Sequence, residues 1–385
     1  MEGKIIIKDV LPEESSYRFT IENINVCYAN AIRRVLLSEI DICVIKTENE
    51  EVNQCFIETN TTRFHNEILK QRLSCIPIHV KDLELLPENY VLEVDVTNET
   101  DTIMYVTTEQ FRIKNKSTGK YITNEETRKI FPPNAITQHY IDFCRLRPKI
   151  SDTVPGEKIK LTADFSKGNA KENSMYNAVY KCSYMNTRDK MAEMNEWKRR
   201  EKELRDKYQS ITEEEIVFEK RNFELLDAQR FFHPHSFDFV IQSIGIYDNV
   251  ELIQKACIVL QNKFIDMVQN LVEGNIPIHI SETSMVNSYD VVLENEDYTV
   301  GKILEYNLYE RFYVKEKILS FCGFKKFHPH NTESIVRIAF SKPNEMDQIK
   351  YAIKEACVDS QTKITEIYHL FESRNTGEKI PLPMK

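Results

Sequence analysis

The feature that most constrains this chain is a unit that occurs twice. "SFDFVIQSIGIYDNVELIQKACIVLQNKFIDMVQNLVE", from Ser236, reads as a strand of alternating residues, a turn and a long amphipathic helix with Leu252, Ala256, Val259, Leu260, Phe264 and Met267 at helical spacing. "ESIVRIAFSKPNEMDQIKYAIKEACVDSQTKITEIYHLFES", from Glu333, reads the same way. Laid over each other one hundred residues apart without a gap, Ala256 and Cys257 face Ala356 and Cys357, while Gln261 and Lys263 face Gln361 and Lys363. Matching elements in matching order point to a duplication.

A shorter helix precedes each long one: "VCYANAIRRVLLSEI", Val26 to Ile40, and "YTVGKILEY", Tyr298 to Tyr306, with an apolar stripe of Val300, Ile303, Leu304 and Leu308. "KIIIKDV" and "YRFTIENI" read as a strand pair leading into the first. More than a hundred residues then interrupt the first copy, against about two dozen in the second. The interruption is expected to be a mostly β insert, in which "NYVLEVDVTNET" and "TIMYVTTEQFRIK" pair as a hairpin. Val91, Leu92, Val94, Val96, Ile103 and Tyr105 are its expected core. From Asn186 to Glu215 the chain is densely charged, and one solvated helix held by spaced opposite charges is expected. The fold class that follows is α+β: two pseudo-symmetric modules, residues 1–46 with 177–275 and residues 276–385, the first interrupted by an insert over 47–176.

Arg33 and Arg34 break the apolar run of the first short helix. On a helical wheel Arg33 lies beside Leu37 and Ile40, and Arg34 on the more polar flank. Periodicity alone is equally served by Arg33 covering the core with its stem and Arg34 standing in water. The repeat shifts the balance: the aligned positions are Glu305 and Tyr306, so such a helix forms without a basic pair.

Several function classes are disfavoured. A net charge of -9 is a poor footprint for nucleic acid, whose binding draws on clustered Lys and Arg, so any DNA contact is expected to be indirect. The N-terminus lacks a signal-peptide pattern and no apolar run nears membrane-spanning length, so a membrane role is not expected. Nine cysteines stand singly, without C-x-x-C spacing, which suits reduced thiols and no metal. Neither a G-x-S-x-G elbow nor a P-loop is present, and Glu93 with Asp95 reads as the solvated face of a strand. The competing reading is a metal-dependent hydrolase built on two His-Pro-His triplets, His233 to His235 and His328 to His330. Proline between the histidines favours turns, and no H-E-x-x-H accompanies them.

At this point the residues resemble the α-type subunits of cellular DNA-directed RNA polymerases. "NAIRRVLLSEI" is similar to the family's helix signature, and "RFHNEILKQRLSCIPIHV", Arg63 to Val80, resembles the segment after it, with Ser74 or Cys75 where the family usually has glycine. "KLTADFSKGNAKENSMYNAVYKCSY", Lys160 to Tyr184, resembles the return from the insert, with "KGNAKEN" replacing a Gly- and His-containing version. These belong to the larger α-like partner, the third subunit of eukaryotic polymerase II. "ENEDYTVGKILEYNLYERF", "LSFCGFKKFHPH" and "SIVRIAF" resemble the smaller partner, the eleventh subunit.

The resemblance implies both partners fused on one chain, as occurs in large cytoplasmic DNA viruses, and a noncatalytic assembly platform with no cofactor. Implied partners are the second-largest and largest polymerase subunits and a small zinc-binding subunit. Implied partner contacts are Asn30, Arg33, Arg34, Glu39, Lys167 and Lys171; the implied dimerisation-type interface is Ile32, Leu36, Ala256, Leu260, Val300, Leu304, Leu308 and Ala356. Some family members hold zinc or iron-sulfur clusters in the insert, but Cys55, Cys75 and Cys144 are its only cysteines here and lie far apart in sequence. Prokaryotic relatives carry a further DNA-binding domain, whereas only "RNTGEKIPLPMK" follows the last helix here, too short to fold. Location would be host cytoplasm or viral factory for a viral chain, and nuclear otherwise.

Overall fold

The computed structural model describes residues 3–12, 16–151, 153–208, 210–343, 346–372 and 374; the tail expected not to fold lies, Arg374 apart, outside them. The chain opens with β1 (Ile6–Pro12), β2 (Tyr17–Glu22) and α1 (Val26–Ser38). There follow β3 (Ile42–Val44), β4 (Cys55–Asn60), α2 (Asn66–Ser74), β5 (Tyr90–Thr97), β6 (Met104–Thr107), β7 (Arg112–Asn115), α3 (Asn124–Ile130), β8 (Asp142–Leu146), β9 (Lys158–Asp164) and β10 (Ser166–Gly168). Next come β11 (Val179–Arg188), α4 (Lys190–Lys207), α5 (Glu213–Leu225), β12 (Phe232–Ser243) and α6 (Asn249–Glu273). The last elements are β13 (Ile278–Ile280), β14 (Ser288–Glu294), α7 (Tyr298–Leu308), β15 (Leu319–Lys325), β16 (Glu333–Phe340) and α8 (Met346–Glu372). The fold is α+β, in two compact units: residues 1–35, 181–242 and 249–385, and residues 36–180 and 243–248.

The first unit repeats one topology. Its sheets run β1-β2-β12-β11 and β13-β14-β16-β15. In each, the second strand feeds the short helix, α1 or α7, and the third feeds the long helix, α6 or α8. Alternation puts Phe237, Phe239 and Ile241 of β12, and Val336 and Ile338 of β16, on the buried faces. Gly301 inside α7 costs helix propensity, roughly 1 kcal/mol against Ala. Its reason is the Phe324 ring of β15, which occupies the space a Cβ would need.

The charged segment departs from expectation. Instead of one solvated helix it is two, α4 and α5, with a small core of Trp197, Ile216, Phe223 and Ala228. α4 stops at Lys207, and Thr212 starts α5 with a capping box, its side chain and that of Glu215 bonding each other's backbone N–H.

The second unit is the β-rich one, with sheet β4-β9-β5-β7 and two smaller pairs, β3 with β10 and β6 with β8. The two expected runs do pair, β5 running antiparallel to β7 at the far end of "TIMYVTTEQFRIK", but not as a tight hairpin through "TNETD": β5 also pairs with β9, and β6 turns away to β8. The cause is Asn98, fully buried after β5. Its amide donates to Thr102 O at 2.8 Å and Leu146 O at 2.9 Å, and its Oδ1 accepts from Thr100 N at 2.9 Å, sending the chain to another sheet. Of the expected core, Leu92 and Val94 are buried and Val96 packs against them, Val91 is half-buried, but Ile103 and Tyr105 are exposed because Met104 and Val106 face inward. Where a family glycine was missed, Ser74 is buried and donates to Ile45 O at 2.8 Å, while Cys75 closes α2 in ordinary helical geometry.

Candidate assembly interface

The apolar residues expected at a dimerisation-type interface, Ile32, Leu36, Ala256, Leu260, Val300, Leu304, Leu308 and Ala356, are all buried. α6 packs along α8, bringing Cys357 Sγ within 3.5 Å of Met267 Sδ. α1 meets α7 at two places. Near its start, Tyr28 sets its ring edge-on to Tyr306 and its hydroxyl against Asn307; further along, Arg34 reaches Asp297 and Thr299. The helices therefore pass in opposite senses. Phe19 of β2 likewise meets Phe371 of α8 edge-on, with centroids 5.1 Å apart, so each half covers the other's apolar face.

A polar network lies inside this apolar packing. The Tyr28 hydroxyl donates to Asn307 Oδ1 at 3.2 Å, while Asn307 Nδ2 lies 2.9 Å from Tyr28 Oη and donates to Ser360 Oγ at 2.7 Å. Ser360 in turn donates to Ala356 O at 2.7 Å. All three side chains are buried, so each hydrogen bond spares a polar atom the cost of losing water.

The two arginines have different surroundings. Arg34, expected on a polar flank facing a partner, turns onto the start of α7: its guanidinium forms an ion pair with Asp297 and donates to Thr299 Oγ1 at 2.8 Å. Asp297 is also the N-cap of α7, its Oδ1 accepting from Thr299 N at 2.8 Å. Burial works to raise its pKa, but the Thr299 hydrogen bonds and the Arg34 charge prevail and hold it below the ordinary carboxylate range. Comparison with Tyr306 could not reveal this, because what Arg34 meets is the beginning of the other helix.

Arg33 is held by a neutral group, its Nε and Nη2 donating to Asn30 Oδ1 at 3.1 and 2.9 Å, and among the described residues it has no carboxylate partner. It faces β11, where burial pushes the Cys182 thiol up to about 12 and raises Tyr184, with the Arg33 charge opposing both shifts. Beside it a groove of about 450 Å³ is lined by Val26, Asn30, Tyr184, Tyr306 and Tyr309.

Glu39, Lys167 and Lys171 belong to the second unit, and Asn30, Arg33 and Arg34 to the first. Glu39 is half-buried. Lys167 sits opposite Cys43 in the β10–β3 ladder and pairs with Glu84. The exposed Lys171 donates its backbone N–H to Ser38 O at 2.7 Å, in a loop pinned by Asn169, whose amide donates to Asp41 Oδ1 at 2.8 Å.

The hydrolase alternative finds no site. His233 and His235 are exposed within β12, and His328 with His330 lies in an exposed turn. Among the described residues no three His, Cys, Asp or Glu come together as metal ligands. Glu93 and Asp95 pair with Lys114 and Lys158 on a sheet face. Among the described residues no helix is long and apolar enough to cross a membrane. Sequence reasoning missed Asp297 and Thr299, although an Asp just ahead of an apolar helical pattern is a start signal. It also missed Asn307 and Ser360, which carry no local signal.

Comparison with known proteins agrees with this geometry. A conjugation stage-specific protein of Tetrahymena thermophila is 25% identical over 195 residues, 46% of this chain and 58% of that protein, so the chain spans little more than half the relative's length. The model of the RNA polymerase Rpb3/Rpb11 dimerisation domain matches residues 18–264, from β2 and α1 through most of α6. The chain thus belongs to the RNA polymerase Rpb3/Rpb11 dimerisation domain family, whose members are noncatalytic polymerase subunits.

Proposed function

We propose that this chain is the assembly platform of a DNA-directed RNA polymerase and carries both α-like partners in one polypeptide. The observation behind this is the second sheet and helix pair, β13 to α8, which repeats the strand order and helix placement of the half that matches the family. The join is short: α6 ends at Glu273, Gly274 takes φ +80°, and β13 begins at Ile278. Such a tether makes pairing of the halves intramolecular, so it no longer depends on subunit concentration.

In this reading the platform holds the second-largest and largest polymerase subunits together with a small zinc-binding subunit, and contributes no catalytic group. Asn30 and Arg33 present a guanidinium to the second-largest subunit, where a bidentate grip on a carboxylate suits it. A source in a large cytoplasmic DNA virus fits the fusion, with action in the host cytoplasm or viral factory. Affinity purification of the tagged chain from its source, followed by mass spectrometry, tests the proposal: both large subunits should co-purify. Their absence would overturn it.

A further inference from the structure

The α4–α5 hairpin falls within the matched span, but the platform reading assigns no contact to its outer surface. It is braced as a presenting element. Arg200 reaches Asp227 at 2.6 Å and lies 4.9 Å over the Phe223 ring, Arg205 ties α4 to Glu213 of α5 at 2.8 Å, and Trp197 packs on Phe223 with centroids 5.7 Å apart.

α5 has two apolar faces. Ile216 and Phe223, seven residues apart, point into the hairpin core. Phe218 and Leu225 have the same spacing, about 200° round the helix from the first pair, and are 68% and 60% exposed. Val217 on one flank of this row and Leu226, the residue that caps α5, are each 65% exposed. A helix with opposed apolar stripes is built to be covered on both sides, and here one stripe meets solvent.

Two observations limit the occupant. Three apolar side chains on a 13-residue helix and one at its cap present far less than the roughly 1,200 Å² that a specific stable complex buries. The face therefore does not hold a second copy of the chain by itself; it suits a segment already tethered to the same assembly, for which a small contact suffices. The row is also bounded by charge in an alternating order, Glu214 before Phe218, Arg221 in the middle and Glu224 beside Leu225, all exposed. Glu214 and Glu224 call for basic residues at the ends of the partner's apolar stripe, with an acidic one between for Arg221.

We propose that the outer face of α5 docks an amphipathic helix, with apolar residues about two turns apart between basic ends, from another polypeptide bound to the same polymerase. This rests on the platform reading. The test places photoreactive p-benzoylphenylalanine at position 218 of the full chain in the assembled polymerase and maps crosslinks by mass spectrometry. The expected product joins α5 to an apolar segment of another subunit or factor with flanking Lys or Arg, and combining Glu214→Lys with Glu224→Lys should cut its yield about fivefold. Crosslinks only to a second copy, to this chain, to nucleic acid or to a segment without basic flanks overturn the inference, as does no crosslink. Recovery of the large subunits is scored in the same sample, so failure of the docking face is separable from failure of the platform.

Discussion

Replacing Asn307 by Leu tests whether the buried polar network between the halves acts as a unit. The change leaves the Tyr28 hydroxyl, in a side chain 3% exposed, without the amide it bonds, whereas Ser360 keeps Ala356 O. Taking the amide partner from a buried hydroxyl costs about 1–3 kcal/mol, partly offset by the gain in apolar surface, so about 2 kcal/mol is expected. Tyr28→Phe strands Asn307 Oδ1 while Nδ2 retains Ser360, and about 1 kcal/mol is expected. The double variant removes both partners of the bond together and should cost no more than Asn307→Leu alone, a coupling of about 1 kcal/mol.

Because the chain has two units, one global unfolding energy is a poor readout. Native-state hydrogen exchange by mass spectrometry on peptides from α7 and α8 measures opening locally. A loss of about 2 kcal/mol should speed the slowest amides there about thirtyfold. Costs that simply add would refute the network, and slower exchange in Asn307→Leu would mean that packing outweighs hydrogen bonding at this crossing.

The arginines should separate by readout: Arg34→Ala is expected to cost about 1 kcal/mol of first-unit stability through the half-exposed Asp297 pair. Arg33→Ala should leave hydrogen exchange in first-unit peptides unchanged but reduce recovery of the second-largest subunit; the reverse pattern would contradict the assignment. Gly156→Ala would drive a Cβ into the Asn98 carbonyl oxygen and should cost about 3 kcal/mol, read as faster exchange in second-unit peptides only. Acid should loosen the α4–α5 hairpin: hydrogen bonds from Arg199 and Arg200 hold Glu196 down from 4.5 to about 2. A depressed carboxylate contributes stability that is full above about pH 4.5 and fades as pH falls towards 2. Trp197, the single tryptophan, reports this by fluorescence, and Glu196→Gln should flatten the acid response; an unchanged response would assign it to other groups.

How much could be read from the sequence follows from the range of each signal. The repeated strand and helix and the buried stripe of Val300, Leu304 and Leu308 come from periods of two and 3.6 residues, which a short window contains. The two runs of the insert pair through β7 and not through β6 next to the turn, because partner choice is non-local, and Asn98 after β5 works through Leu146 in a distant strand. The break between α4 and α5 was visible as Thr212 followed by Glu215, yet dense charge hid it, since Trp197, Ile216 and Phe223 are too widely spaced to register as a stripe.

The arginine pair shows what separates a legible residue from a legible role. Sequence marks both as misplaced charge, but their roles depend on counter-charge, and the counter-charge of Arg34 sits on α7. With that pair made, Arg34 has spent its electrostatic capacity inside the fold; releasing it to a partner would leave Asp297 partly buried and unneutralised. Arg33, oriented by the neutral amide of Asn30, keeps a full positive charge available at no such cost. A partner carboxylate therefore gains more from Arg33 than from Arg34, and the single substitutions, not the double, are what can reveal it.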